Sequence, residues 1–136
     1  MYLMIGYVTE KLDRQFSEQF VRKVVPELLK TVLTNMAVVL SKMNAFSDAL
    51  NACSDAFSVV KKYSLPRDAK LLFRRGSVLL SLKEFDAAVE DLDAASLLSP
   101  QDTAIAAKLR DARKYATNAT LNVFFNIFIS SPLLLF

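Results

Sequence analysis

The sequence has no histidine, no tryptophan, one cysteine, two glycines and four prolines in 136 residues. Each shortage closes off a class of chemistry or architecture. Without histidine the chain lacks the commonest general base and the commonest metal ligand. A lone Cys53 can build neither an intramolecular disulfide nor a zinc cluster, and it fits a reducing compartment. Few glycines and prolines mean few interruptions, so an all-α chain of one domain is expected rather than strands and turns. A Gly-rich phosphate loop is missing, as is any pair of carboxylates beyond scattered surface acids. No enzyme activity, metal or cofactor is therefore expected.

Strong charge of one sign is also missing. Seventeen basic and fourteen acidic residues leave a formal charge of +3, and the signs are interleaved, as in Lys83, Glu84, Asp86, Glu90, Asp91 and Asp93. Nucleic-acid binders cluster their basic residues, so no nucleic-acid partner is expected. The apolar run Met1 to Val8 is short, has no basic flank and is followed by Glu10 and Lys11, which argues against a secretory signal and for a cytoplasmic chain. From Tyr115 to Phe136 there is no charge at all. Residues 118–136 read as an apolar tail, either a membrane anchor or a helix docked on the rest of the chain. Its asparagines, Ser130, Ser131 and Pro132 weigh against an anchor.

What is present is a repeat. Leu33, Met36, Ala37, Leu40, Phe46, Ala49, Cys53 and Ala56 recur at equal offsets as Leu72, Arg75, Gly76, Leu79, Phe85, Ala88, Leu92 and Ala95. The offset, 39 positions from Ala37 to Gly76, equals a 34-residue unit with five residues inserted. Leu12, Phe16, Phe20 and Val24 predict an amphipathic helix over about 9–25, and Pro26 predicts the start of a second helix running to Lys42. Further helices are predicted from Phe46 to Lys62, about 68 to 82, Phe85 to Leu98, and 101 to 115, with a turn at Asn44 and Ala45. Within each pair the small residues Ala37 with Ala49, and Gly76 with Ala88, mark where two helices cross closely. A glycine inside a helix costs up to about 1 kcal/mol relative to alanine, so close approach explains Gly76. Arg75 stands where the first unit has Met36 and is read as packing by its aliphatic stem. Cys53 falls on a core position.

The second unit, Lys70-Leu-Leu-Phe-Arg-Arg-Gly76 followed by Leu82-Lys-Glu-Phe-Asp-Ala-Ala-Val-Glu-Asp-Leu92 and Ser99-Pro100, resembles the third repeat of the tetratricopeptide domain in large immunophilin co-chaperones. Thr34-Asn-Met-Ala37 through Phe46-Ser-Asp-Ala-Leu50 is similar to their second repeat, and the helix after Pro100 to their capping helix. The resemblance covers about residues 29–115 and implies a tetratricopeptide-repeat helical solenoid. Its repeats would lie at about 30–63 and 69–102, with a capping helix at about 103–117. Residues 1–25 would be a leading helical segment, a divergent or truncated first repeat. No isomerase domain precedes the repeats, so isomerase activity is not implied.

In that family the groove binds the acidic C-terminal tail, Glu-Glu-Val-Asp, of the ninety- or seventy-kilodalton heat-shock proteins. The resemblance carries the carboxylate clamp onto Asn35, Lys70 and Arg74. Lys70 and Arg74 are four apart on one helix, where like charges repel by a few tenths of a kcal/mol, about 0.2–0.5, unless an anion lies between them. Ammonium and guanidinium groups hold carboxylates by charge-assisted bonds, and an amide can donate to one without adding charge. Residues 1–25 do not show the pattern of the family's first repeat, so two of five donors are missing and a weaker clamp is expected. The expected function is a co-chaperone-type adaptor. The alternatives are a membrane-tethered scaffold that recruits a soluble partner, and a truncated repeat fragment without a competent clamp.

Overall fold

A computed structural model describes residues 2–131. Met1 and residues 132–136, including the last leucines and phenylalanine of the tail, lie outside the described residues, as do the side chains of Leu12 and Phe16. Five helices follow one another: α1 (Tyr2–Lys42), α2 (Phe46–Lys62), α3 (Ala69–Ser81), α4 (Phe85–Leu98) and α5 (Thr103–Ile129). The described residues are all-helical, and adjacent helices pack on one another.

Two of the predicted boundaries are corrected. Pro26 does not open a second helix, because α1 runs through it for 41 residues. An interior proline removes one backbone hydrogen bond and crowds the preceding turn, at a cost of about 3 kcal/mol. Here the ring is among the largest fully buried side chains. Pro26 is also the first buried residue in α1 among the described side chains, so it stands where the exposed N-terminal arm meets the packed part of the helix. The second correction concerns α5, which continues for 27 residues to Ile129 instead of ending near Tyr115.

The turns that close the helices repeat as strictly as the helices. Asn44, Ser64 and Lys83 have φ of 60°, 51° and 64°. Each sits just past a helix end, where a left-handed residue lets two orphan carbonyls find donors. Ala45 N bonds Leu40 O and Asn44 N bonds Ser41 O. The same pair of bonds recurs as Leu65 N to Val60 O with Ser64 N to Lys61 O, and as Glu84 N to Leu79 O with Lys83 N to Leu80 O. Asn44 and Lys83 are themselves 39 positions apart. Helices α3 and α5 begin on Asp68 and Asp102, whose carboxylates accept from Lys70 N and from Ala104 N and Ile105 N.

Small residues set the crossing inside each hairpin. Ala37, Ala49, Ala56, Ala88 and Ala95 are at most 1% exposed. A Cβ added to Gly76 would lie 2.8 Å from Leu92 Cγ and 3.4 Å from Ala88 O. The core then runs from hairpin to hairpin. Ala37, Ala52, Cys53 and Ala56 pack with Leu71 of α3, Leu72 and Ala95 pack with Ile105, and Leu92 packs with Leu109 and Ala112.

Both ends of the chain leave this core. In α1 every described side chain before Pro26 is exposed, and in α5 Leu121, Val123, Phe124, Phe125, Ile127, Phe128 and Ile129 are each more than half exposed. Among the described residues, one helical stretch is long and apolar enough to cross a membrane by length and composition, and it is Ser17–Lys42, not the tail. Only 22% of its 18-residue apolar window is buried.

Candidate peptide-binding groove

Side chains of α1, α3 and α5 line two adjoining hollows that share Arg74. The larger, of 640 Å³, is bordered by Lys30 of α1, the start of α3 and the start of α5. The smaller, of 300 Å³, lies between Val38, Ser41 and Lys42 of α1, Ser77 and Ser81 of α3, and Lys108 of α5. Together they gather six basic residues, Lys30, Lys42, Arg67, Lys70, Arg74 and Lys108, against two acids, Asp68 and Asp102. Both acids serve as helix N-caps, a position where a carboxylate offsets the orphan amides and the positive end of the helix dipole. The surplus of positive charge therefore faces the groove.

Lys70 and Arg74 come together on the same wall. Lys70 is exposed, and neither it nor Arg74 takes part in an ion pair among the described residues. Arg74 is half-buried with its guanidinium carbon 5.9 Å from the Phe73 ring centre. Its Nε and the hydroxyl of Ser77, one turn along the same helix, are buried with no hydrogen-bond partner. Unmet hydrogen bonding of this kind costs about 1–3 kcal/mol per group, which an acceptor entering the groove would relieve. Asn35 is exposed and lines neither hollow, but by spacing it shares a helix face with Val38 and Lys42, which do.

Four basic groove residues went unnoticed at the level of sequence. Lys42, Arg67 and Lys108 have no motif to announce them. Lys30 is 8% exposed, 2.7 Å from Glu27 and 3.5 Å from Asp68, so it ties α1 to the start of α3. The hydrogen bond that it donates to Glu27 raises its pKa, against the opposing effect of burial. The Glu27/Lys30 spacing of three was a visible signal for the first of these contacts.

The reading of Arg75 as aliphatic packing is corrected. Its Nε and Nη2 each donate at 2.6 Å to the two carboxylate oxygens of Asp91, and its guanidinium lies 4.0 Å above the Phe57 ring centre. Asp91 is 6% exposed, and this hydrogen bond raises the Arg75 pKa. The arginine thus joins α2, α3 and α4 through a bidentate pair and a ring face, a geometry lysine could not reproduce. It belongs to the packing between the hairpins, away from the groove.

Cys53 is fully buried, and burial pushes its thiol up to about 11. At neutral pH it is a small core residue and a poor nucleophile. Among the described residues no group of three or more metal-ligating side chains gathers. No protein-family model matches the sequence, and no curated protein matches it.

Proposed function

We propose that the chain is a tetratricopeptide-type adaptor that receives an acidic peptide with a free C-terminal carboxylate. The observation that carries this reading is the unpaired Lys70 and Arg74 on one wall of a groove whose two acids are occupied as helix caps. Lys108 and Lys42 extend the basic surface to the opposite walls. Lys70 and Arg74 bind the terminal carboxylates by charge-assisted bonds, and Asn35 at the rim donates an amide hydrogen bond to the same tail. The equal burial of Ala37 and Gly76, of Ala49 and Ala88, and of Ala56 and Ala95, with identical turns at Asn44 and Lys83, supports the repeat architecture behind it. The proposed partner is a cytoplasmic chaperone of the seventy- or ninety-kilodalton heat-shock class, whose tail ends Glu-Glu-Val-Asp.

Titration of a fluorescent peptide ending in Glu-Glu-Val-Asp, against the same peptide amidated at its terminus, tests the reading. The free acid binds and the amide binds at least about tenfold more weakly, because one lost charge-assisted bond is worth about 1.5–3 kcal/mol. Lys70→Ala and Arg74→Ala each weaken the free acid by a similar factor. Equal binding of the two peptides, or full affinity in both variants, overturns it.

A second reading rests on the exposed apolar residues from Leu121 to Ile129 and on the apolar stretch Ser17–Lys42. In it the chain is held at a membrane while the groove recruits its partner. Flotation with lipid vesicles, with and without residues 116–136, separates it from a freely soluble adaptor.

A further inference from the structure

The two hollows of the groove differ in their balance of charge. Basic residues border the larger, but so do Asp68 and Asp102, and Lys30 there is already held by Glu27 and Asp68. The smaller is bordered by Lys42 of α1, Arg74 of α3 and Lys108 of α5, with no acidic side chain among its lining residues. None of these three cations takes part in an ion pair among the described residues.

Their positions are not explained by the helices that carry them. Lys42 stands in the last turn of α1, where the helix dipole favours a cation. Arg74 and Lys108 are each the sixth residue of a helix, counting from Ala69 and Thr103, where the dipole offers a cation nothing. Both are half-buried. Three like charges that converge from three helices on a hollow of 300 Å³ repel one another unless an anion joins them.

The hydroxyls of the same hollow add a second, independent observation. Ser41 donates to Ala37 O at 2.7 Å and Ser81 to Ser77 O at 3.3 Å. Ser77 Oγ is buried with no partner, and so is Arg74 Nε. Two buried donors beside three cations thus lack an acceptor. A carboxylate brings one charge and two oxygens, whereas a phosphomonoester brings a charge of about −1.5 to −2 and three strong acceptor oxygens.

We infer that the smaller hollow is a subsite for a phosphorylated side chain on a peptide lying in the groove. Lys42, Arg74 and Lys108 hold the phosphoryl oxygens, and the Ser77 hydroxyl donates to one of them. The phosphate chemistry follows from this hollow alone, and its place on a peptide rests on the proposed function. Lys70 and Ser77 are seven residues apart on α3, about 10.5 Å along the axis, which an extended peptide covers in about three residues. The phosphorylated residue therefore stands about three before the terminal carboxylate, with Arg74 between the two anions.

Fluorescent peptides ending Ser-Glu-Val-Asp, Glu-Glu-Val-Asp and phosphoserine-Glu-Val-Asp, titrated into the full chain, test this. The phosphoserine form binds about tenfold more tightly than the serine form and about threefold more tightly than the glutamate form. Lys42→Ala and Lys108→Ala each cut the phosphoserine-to-serine ratio about threefold or more. A ratio taken within one variant is unaffected by any fraction that fails to fold. Equal binding of the phosphoserine and glutamate forms overturns the inference and leaves the hollow to carboxylates. A ratio unchanged in both lysine variants also overturns it. Inorganic phosphate that displaces the phosphopeptide at equal concentration overturns it in favour of the free ion. Amidation of the peptide terminus separates this inference from the proposed function. Amides that bind as well as the free acids, with the phosphoserine preference intact, support the subsite while the terminal-carboxylate reading falls. Free acids that bind better than the amides, with no phosphoserine preference, overturn the subsite alone.

Discussion

The α1–α2 hairpin and the α3–α4 hairpin share the small residues of their crossing and the geometry of their turns, and differ most at the pair of positions held in the second by Arg75 and Asp91. Inside each, small residues meet at the crossing, a left-handed residue closes the turn, and a phenylalanine opens the second helix. Beyond the crossing and the turn the chemistry diverges. The second hairpin has Arg75 and Asp91 where the first has Met36 and Ala52. Met36 is 44% exposed, whereas Arg75 is clasped by Asp91 and Phe57 in the seam between α2, α3 and α4. The crossing of each hairpin is dictated by how closely two helix backbones approach, and both copies meet that requirement with small residues. The outer positions answer to whatever lies beside them, and the two hairpins have different neighbours.

The largest test of this contrast removes the ion pair. Asp91→Ala should cost about 2–4 kcal/mol in urea unfolding, because it leaves the half-buried Arg75 guanidinium without its partner. The figure sits toward the low end for buried pairs because nearly a third of the Arg75 side chain reaches water. Arg75→Met combined with Asp91→Ala copies the first hairpin's residues into the second, and it should recover more than half of the loss. A double variant no more stable than Asp91→Ala would mean that the seam needs the ionic geometry itself.

Next in size is Gly76→Ala. The added methyl would press on the Leu92 side chain and come close to the backbone of Ala88, and crowding of that order costs about 1–3 kcal/mol. The first hairpin tolerates Ala37 in the same position because Cys53 stands where the second has Leu92. Gly76→Ala with Leu92→Cys should therefore lose less than the sum of the two single changes in a double-mutant cycle. Strict additivity would show that the two side chains do not compete for the same space.

These residues also show what sequence can reveal. Ala37, Gly76, Ala49 and Ala88 were legible because close packing admits few side chains, so the constraint leaves its mark in one-letter code. Lys70 and Arg74 were legible as neighbours because helix periodicity places them on one face. The partner of Arg75 was not, since Asp91 is one of several acids on α4 and only the rotation of the hairpin selects it. Lys42 and Lys108 escaped notice for a similar reason: they come from α1 and α5 and meet only through the packing of both helices beside α3. Pro26 misled because its local preference for a helix start was outweighed by the burial of its ring inside α1.

A smaller effect is expected at the turns. Asn44 and Lys83 hold the same left-handed geometry, but asparagine enters that region far more readily than lysine. Lys83→Gly should raise stability by about 0.5–1 kcal/mol, and Asn44→Gly should change it by less. Thermal unfolding of the two variants side by side measures the difference, and an equal gain in both would show that the turns are not limited by backbone strain.

The smallest expected effect comes from Lys30, the ionic link between the hairpins on the groove side. Its hydrogen bond to Glu27 raises its pKa above the ordinary 10.5, with Asp68 adding to the shift and burial opposing it. A group whose folded pKa lies above its unfolded one stabilises the fold fully below the unfolded value, and loses that contribution as pH climbs through the folded value. Stability should therefore hold up to about pH 10, near the ordinary lysine titration, and decline above it. The loss should not exceed about 1 kcal/mol, since Glu27 and Asp68 both remain partly in water. Lys30→Met keeps the buried stem, removes the titrating group and leaves Asp68 capping α3, so its unfolding temperature should fall less steeply between pH 10 and 12 than that of the parent. Parallel profiles would assign the alkaline decline to other lysines and leave Leu71, packed among Ala37, Ala52, Cys53 and Ala56, to hold the two hairpins together with the Arg75 clasp.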